Sequence, residues 1–161
     1  MPCIFDAGVN VALGTDNMSE DMWQALSVGI IVNRGKRGGG THPTPRQFLD
    51  CATRNGALAL GRTEDLGTLE PGKLADISIV NLKRPHLTPV NNLLSNIVHY
   101  GQASDVETVI VGGDMVMQDG KVLTMNEEDV IRNATEATTS AWRRMHEQFP
   151  DIPVPETVKL E

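Results

Sequence analysis

The pattern of hydrophobic and polar positions changes character three times along the chain. From Val9 to Leu13 (Val-Asn-Val-Ala-Leu) a short, mostly apolar run sits between Gly8 and Gly14, which suits a buried strand better than a helix. The period then becomes helical. Met22, Trp23, Leu26, Ile30 and Val32 line one wide face, with Ser19 as the expected cap and Glu20 and Asp21 in the first turn, where carboxylates meet the positive end of the helix dipole. A second stripe, Phe48, Leu49, Ala52, Ala59 and Leu60, opens with Thr44 as cap and Pro45 at the first helical position. It closes at Gly61, where a left-handed C-terminal cap belongs. Between the two helices, Arg34 to His42 holds four glycines in nine residues and reads as a flexible loop.

Strand periodicity takes over further on. Leu74 to Val80 alternates and Val106 to Val111 is almost continuously apolar. Gly112-Gly113-Asp114 leads into Met115 to Gln118, and Asp119-Gly120 turns the chain into Lys121-Val122-Leu123, so two hairpins are predicted in succession. Asn126 is the expected cap of a last helix that carries Glu127, Glu128 and Asp129 in its first turn and runs to about Phe149. Pro150, Pro153 and Pro155 make the following tail extended.

This order leaves the first strand without a local partner, and an unpaired strand exposes a row of backbone donors and acceptors that invites self-association. A homo-oligomer, by simple dimerisation or by swapping, is therefore expected.

Charge and composition narrow the partners. Lys and Arg number 14 against 21 Asp and Glu, a net charge of −7, and the acidic residues are scattered, which favours solubility and speaks against a nucleic-acid partner. No stretch approaches the roughly 18 apolar residues of a membrane span, and the first residues show no leader pattern. Cys3 and Cys51 lie far apart and outside any C-x-x-C spacing, so a reducing, cytoplasmic setting is expected. Cys51 reads as a small buried hydrophobe.

Two further signals fail on inspection. Gly35 and Gly40 have the G-x-x-x-x-G spacing of a phosphate loop, but Thr41-His42 follows where Lys and Ser or Thr are needed. The four histidines, His42, His86, His99 and His146, form neither an H-x-H nor an H-E-x-x-H pair.

Four phrases in fixed order carry a more specific signal. Ala7 to Asn17 (Ala-Gly-Val-Asn-Val-Ala-Leu-Gly-Thr-Asp-Asn) resembles the final barrel strand of the amidohydrolase superfamily. Ala52-Thr53-Arg54-Asn55-Gly56-Ala57 with Leu60-Gly61 resembles the helix after it. Gly67 to Asp76 resembles the re-entry into that superfamily's small β-sandwich, and Val109 to Gly113 with Asp119-Gly120 resembles its closing hairpins. The chain is most similar to the branch of cytosine, guanine and adenosyl-type deaminases and triazine chlorohydrolases, through Pro85-His86-Leu87-Thr88-Pro89 and Asn96 to Tyr100 as well.

The resemblance implies an α/β fold with added β structure: the last strand and helices of a TIM-like (β/α)8 barrel, part of a small β-sandwich and a C-terminal helix. Residues 1–62 would be the end of the barrel, 63–125 the sandwich share, 126–149 the helix and 150–161 an extended tail. A whole barrel needs about 250 residues, so a C-terminal portion of a longer protein is expected. Active sites of such barrels lie at the C-terminal ends of the strands. Asp16, just beyond Leu13-Gly14, is thereby implied as a metal ligand and as the carboxylate that takes a proton from the attacking water and hands it to the leaving amine. Taken alone, Asp16 reads instead as a short polar residue capping a turn.

Asn17, Met18 and Glu20 follow in the same loop and would line a substrate pocket with Trp23 as a wall. For the first three ordinary loop chemistry is the alternative, and for Trp23 a place in the core. The family's metal, zinc or iron, takes its histidines from earlier strands, and one carboxylate does not hold a catalytic metal. The intact protein would hydrolyse a C–N or C–Cl bond of a small heterocyclic substrate, whereas this portion by itself is expected to be inactive. A non-catalytic homologue serving as an assembly module is the alternative.

Overall fold

The computed structural model describes residues 4–16, 19–36, 39–155 and 158. Among the described residues five α-helices and a four-stranded antiparallel sheet follow one another as α1 (Met22–Lys36), α2 (Pro45–Ala52), α3 (Arg54–Ala59), β1 (Ile77–Val80), α4 (Leu93–Tyr100), β2 (Val106–Val111), β3 (Asp114–Gln118), β4 (Lys121–Val122) and α5 (Glu127–Gln148). Two compact units divide between Lys121 and Val122.

In the first unit α1, α2 and α4 pack against one another. Leu26 and Ile30 of α1, Phe48 of α2 and Val98 of α4 form the buried cluster, with Phe5, Leu13, Trp23, Leu49 and Ala52 packed around it. Helix α1 is capped by Asp21 rather than by Ser19. Asp21 Oδ1 accepts the amides of Trp23 at 2.9 Å and Gln24 at 3.1 Å, and the Ser19 hydroxyl instead accepts the amide of Asp21 at 3.3 Å. The carboxylate places full negative charge on the helix end, where the hydroxyl places only a dipole. Part of the expected glycine loop is helical, because α1 continues to Lys36.

Helix α2 opens as the pattern predicts. The Thr44 hydroxyl accepts the Gln47 amide at 3.2 Å while Gln47 Oε1 accepts the Thr44 amide at 2.8 Å, a reciprocal capping box. The single long helix expected from this stripe is broken at Thr53, whose φ of −131° and ψ of −89° leave the helical region. The Thr53 hydroxyl bonds back to the Leu49 carbonyl at 2.8 Å, the local competition by which threonine bends helices. Helix α3 then closes on Gly61 at φ 67°, with the Gly61 amide on the Leu58 carbonyl at 3.1 Å and the Arg62 amide on the Ala57 carbonyl at 2.8 Å, a Schellman closure that suits a residue without Cβ.

The sheet has the order β1-β2-β3-β4. β1 pairs with β2 through Ile77 opposite Ile110 and Ile79 opposite Thr108, and β2 with β3 through Val109 opposite Met117. Its turns fall where predicted. Gly112 and Gly113 have φ of 59° and 93°, and Asp119 and Gly120 have 50° and 73°, the positive pair that tight hairpins need. Asp76 ties the sheet edge by accepting the Gly112 amide at 2.6 Å. In the second unit Asn126 accepts the Asp129 amide at 3.1 Å and caps α5. No helix among the described residues is long and apolar enough to cross a membrane.

Residues Val9 to Leu13 differ from expectation in one respect. They belong to no strand. A strand is defined by its ladder, and the groups that face this segment are those of the break between α2 and α3, not another strand.

Candidate functional site

Three hydrogen bonds seat the segment before Asp16 on that break. The Leu13 amide donates to the Cys51 carbonyl at 3.0 Å. Asn55 Nδ2 donates to the Val11 carbonyl at 2.9 Å, and Asn10 Nδ2 donates to the Asn55 carbonyl at 3.1 Å. Leu13 meanwhile packs against the helical core. Gly14 and Thr15 carry the chain on to Asp16, which is exposed and has φ of 57°. Aspartate is among the few side chains that enter this left-handed region, at a cost in backbone energy.

The other predicted site residues divide. Glu20 is exposed immediately before the cap of α1. Trp23 is half-buried on the core cluster, and its ring lies so close to Gly101 that a Cβ there would stand 2.9 Å from Cε3. Asn17 and Met18 lie outside the described residues. Asn55 was visible in the sequence only as part of a family phrase, because its bond to Val11 joins residues 44 apart.

The histidines near the core have other partners. His42 Nε2 lies 3.2 Å from Asp6, and His86 Nε2 lies 2.8 Å from the buried Asp105. His99 Nε2 meets Arg34 Nη1 at 3.3 Å. A guanidinium has no acceptor, so this ring nitrogen accepts and the imidazole is neutral. Burial, with the neighbouring Arg34 charge, moves the His99 pKa below its ordinary value.

Among the described residues no three His, Cys, Asp or Glu side chains come together as a metal-holding group. The described residues therefore do not fit a metal centre by themselves, since catalytic sites use about three protein ligands. What the geometry presents is one solvent-facing carboxylate at the end of a seated segment, able to accept and return a proton.

Comparison with known proteins places this arrangement. The model of the amidohydrolase family matches residues 2–116. The chain is 40% identical over 144 residues to a 5-methylthioadenosine/S-adenosylhomocysteine deaminase of Moorella thermoacetica, and 42% identical over 131 residues to a 5'-deoxyadenosine deaminase of Methanosphaera stadtmanae. These alignments cover 87% and 78% of this chain but 32% and 30% of the relatives, so the chain spans less than two thirds of their length. Among solved structures, a zinc-bound adenosine deaminase from Xanthomonas campestris superposes with a TM-score of 0.79 at 26% identity, over 83% of this chain and 31% of that one. A zinc complex of an atrazine chlorohydrolase from Arthrobacter aurescens TC1 gives 0.74 at 25% identity, over 82% and 30%.

The chain is thus an α/β protein that shares part of the fold of these structures. It belongs to the amidohydrolase family, in the branch of deaminases and chlorohydrolases.

Proposed function

We propose that the chain is the C-terminal portion of a deaminase acting on a small heterocycle of the adenosine kind, and that Asp16 is the proton-transferring carboxylate of its active site. The observation that supports this most directly is Asp16 itself: an L-residue in the left-handed region, exposed, at the end of a segment seated by three hydrogen bonds. Sparsely populated backbone conformations of this kind concentrate at functional sites.

On this reading Val9 to Leu13 is the last strand of a (β/α)8 barrel, α1 to α3 follow it, the sheet is the chain's share of a β-sandwich, and α5 is the terminal helix. Asp16 takes a proton from the attacking water and delivers it to the departing nitrogen. Asn17, Met18 and Glu20, in the loop beyond, contact the heterocycle, and Trp23 backs them. The histidines that complete a zinc or iron site come from parts of the intact protein outside this chain.

A chimera tests the reading. This chain replaces the matching third of the Moorella thermoacetica deaminase, and release of ammonia from 5'-methylthioadenosine is followed. The chimera is expected to be active, and Asp16→Asn to lower kcat by about 100-fold to 10,000-fold, the usual worth of a general acid–base group. An active chimera that keeps its kcat after Asp16→Asn sinks the assignment.

A further inference from the structure

We propose that Asn55 is the positioning residue for the Asp16 carboxylate, an inference that rests on the functional reading above for its importance but on geometry for its content. Asn55 engages the segment with both its side chain and its backbone. Its Nδ2 donates to the Val11 carbonyl at 2.9 Å and approaches Cys51 Sγ at 3.7 Å, so both N–H directions are used and the amide plane is held. Its own carbonyl takes the Asn10 side chain at 3.1 Å.

The helix break extends the same grip. Because α2 ends at Ala52, the Cys51 carbonyl takes the Leu13 amide at 3.0 Å, whereas in an uninterrupted helix it would take the amide of residue 55. Val11 and Leu13, two residues apart, thus turn a carbonyl and an amide to the same side, as successive positions of a strand do toward a neighbour. Asn55 and Cys51 together stand in for that neighbour. From Leu13 only Gly14 and Thr15 lead to Asp16, a tether of at most about 11 Å. Wherever the Leu13 anchor goes, Asp16 follows.

Asn55 is half-buried and sits in the second turn-forming position of a short helix, where an alanine would serve the helix better. Its amide is explained by the segment it holds.

The test uses the complete 161-residue chain as Asn55→Ala and Asn55→Asp, the second being isosteric but turning an acceptor toward the Val11 carbonyl. Amide hydrogen exchange is read at Leu13, Ile30 and Val98, with the three-bond amide–Hα coupling of Asp16 as a measure of its φ. Leu13 is expected to exchange about tenfold faster, with the Asp16 coupling altered and the core amides of Ile30 and Val98 unmoved. An unchanged Leu13 overturns the proposal. So does equal acceleration at all three amides, or failure of both variants to fold, because Asn55 would then hold the core and not the segment. These readouts contain no chemistry, so they stand or fall apart from the Asp16→Asn assay in the chimera.

Discussion

The Leu13 amide and the Cys51 carbonyl meet at 3.0 Å, and the bond exists because α2 stops one residue after Cys51. A helix that ran on through Thr53 would keep that carbonyl for itself. The cost of interrupting a helix is thereby offset at the point where the segment leading to Asp16 needs a donor–acceptor partner. Cys51 is buried, and burial pushes its thiol pKa up, so the residue acts through its backbone, its volume and the contact of its Sγ with Asn55, and not as a nucleophile.

Gly29 of α1 faces the ring of Phe48 with no room for a side chain. A Cβ there would stand 2.6 Å from Cε1 of Phe48, a ring that is itself buried. Gly29→Ala gains about 1 kcal/mol of helix propensity but forces apart a packed pair, which costs about 1–3 kcal/mol. The expected result is a lower urea midpoint with an unchanged slope. A midpoint that rises would show that Phe48 has room to move.

At the start of α2, Thr44→Ala removes the half of the capping box in which the hydroxyl accepts the Gln47 amide, and leaves the Thr44 amide on Gln47 Oε1. Stability is expected to fall by about 1 kcal/mol. Thr44→Ser, which keeps the hydroxyl, should recover most of it, as chemical denaturation of the two variants side by side would reveal.

How much of this was legible beforehand depended on how local each cause is. The Thr44 cap, Pro45, the Gly61 closure, the Asn126 cap and the Asp119-Gly120 turn each follow from a few neighbouring residues, and each was readable. The choice of Asp21 over Ser19 as cap, and the break at Thr53, turn on competition between adjacent polar groups, which periodicity does not resolve. Helix α4, eight residues long, is too short to carry a clear helical period. The seat of Val9 to Leu13 depends on Asn55 and Cys51, some 40 residues on, and contacts at that distance are invisible to any window of sequence. Asp16 stood out through its phrase, while its left-handed backbone became visible only in the structure.

Asp105 is a buried carboxylate with three neighbours: His86 Nε2 at 2.8 Å, Arg84 Nε at 3.6 Å and the Gln102 amide at 2.9 Å. It joins the turn at Pro85–Leu87 to the entry of β2. Asp105→Ala takes the acceptor from His86 Nε2 and the Gln102 amide and the counter-charge from Arg84, and leaving such polar groups unsatisfied costs about 1–3 kcal/mol. Asp105→Asn keeps an acceptor oxygen and is expected to lose less. Equal losses in the two variants, measured by thermal unfolding, would mean that volume and not polarity is what the site requires.

His99 makes stability depend on pH in a defined direction. Its folded pKa lies below the ordinary 6.5, through burial first and the Arg34 charge second. Between the folded value and 6.5 the unfolded chain therefore binds more protons than the folded one, and stability rises with pH across that window. The contribution is complete above 6.5 and is lost as pH falls through the folded pKa. His99→Gln is expected to flatten this part of the profile while sparing the region above pH 7. A variant whose acid limb is as steep as the parent's would assign the effect to another group.

Asp16 offers two explanations that stability and turnover together can separate. If the side chain merely capped its turn, removing the carboxylate would cost about 1 kcal/mol, as at other polar caps. If it is held in place for chemistry, the chain tolerates an unfavourable φ of 57° for a group that does nothing for the fold, and active sites are where such trade-offs concentrate. Asp16→Gly, which relieves the left-handed backbone, is then expected to raise stability by up to about 1 kcal/mol. Asp16→Asn, tolerant of the same conformation, is expected to leave it unchanged. In the chimera both variants should lose deamination. A gain in stability joined to a loss of turnover at one residue is the signature of a carboxylate kept for its reactivity, and a loss of both would return Asp16 to the role of an ordinary turn residue.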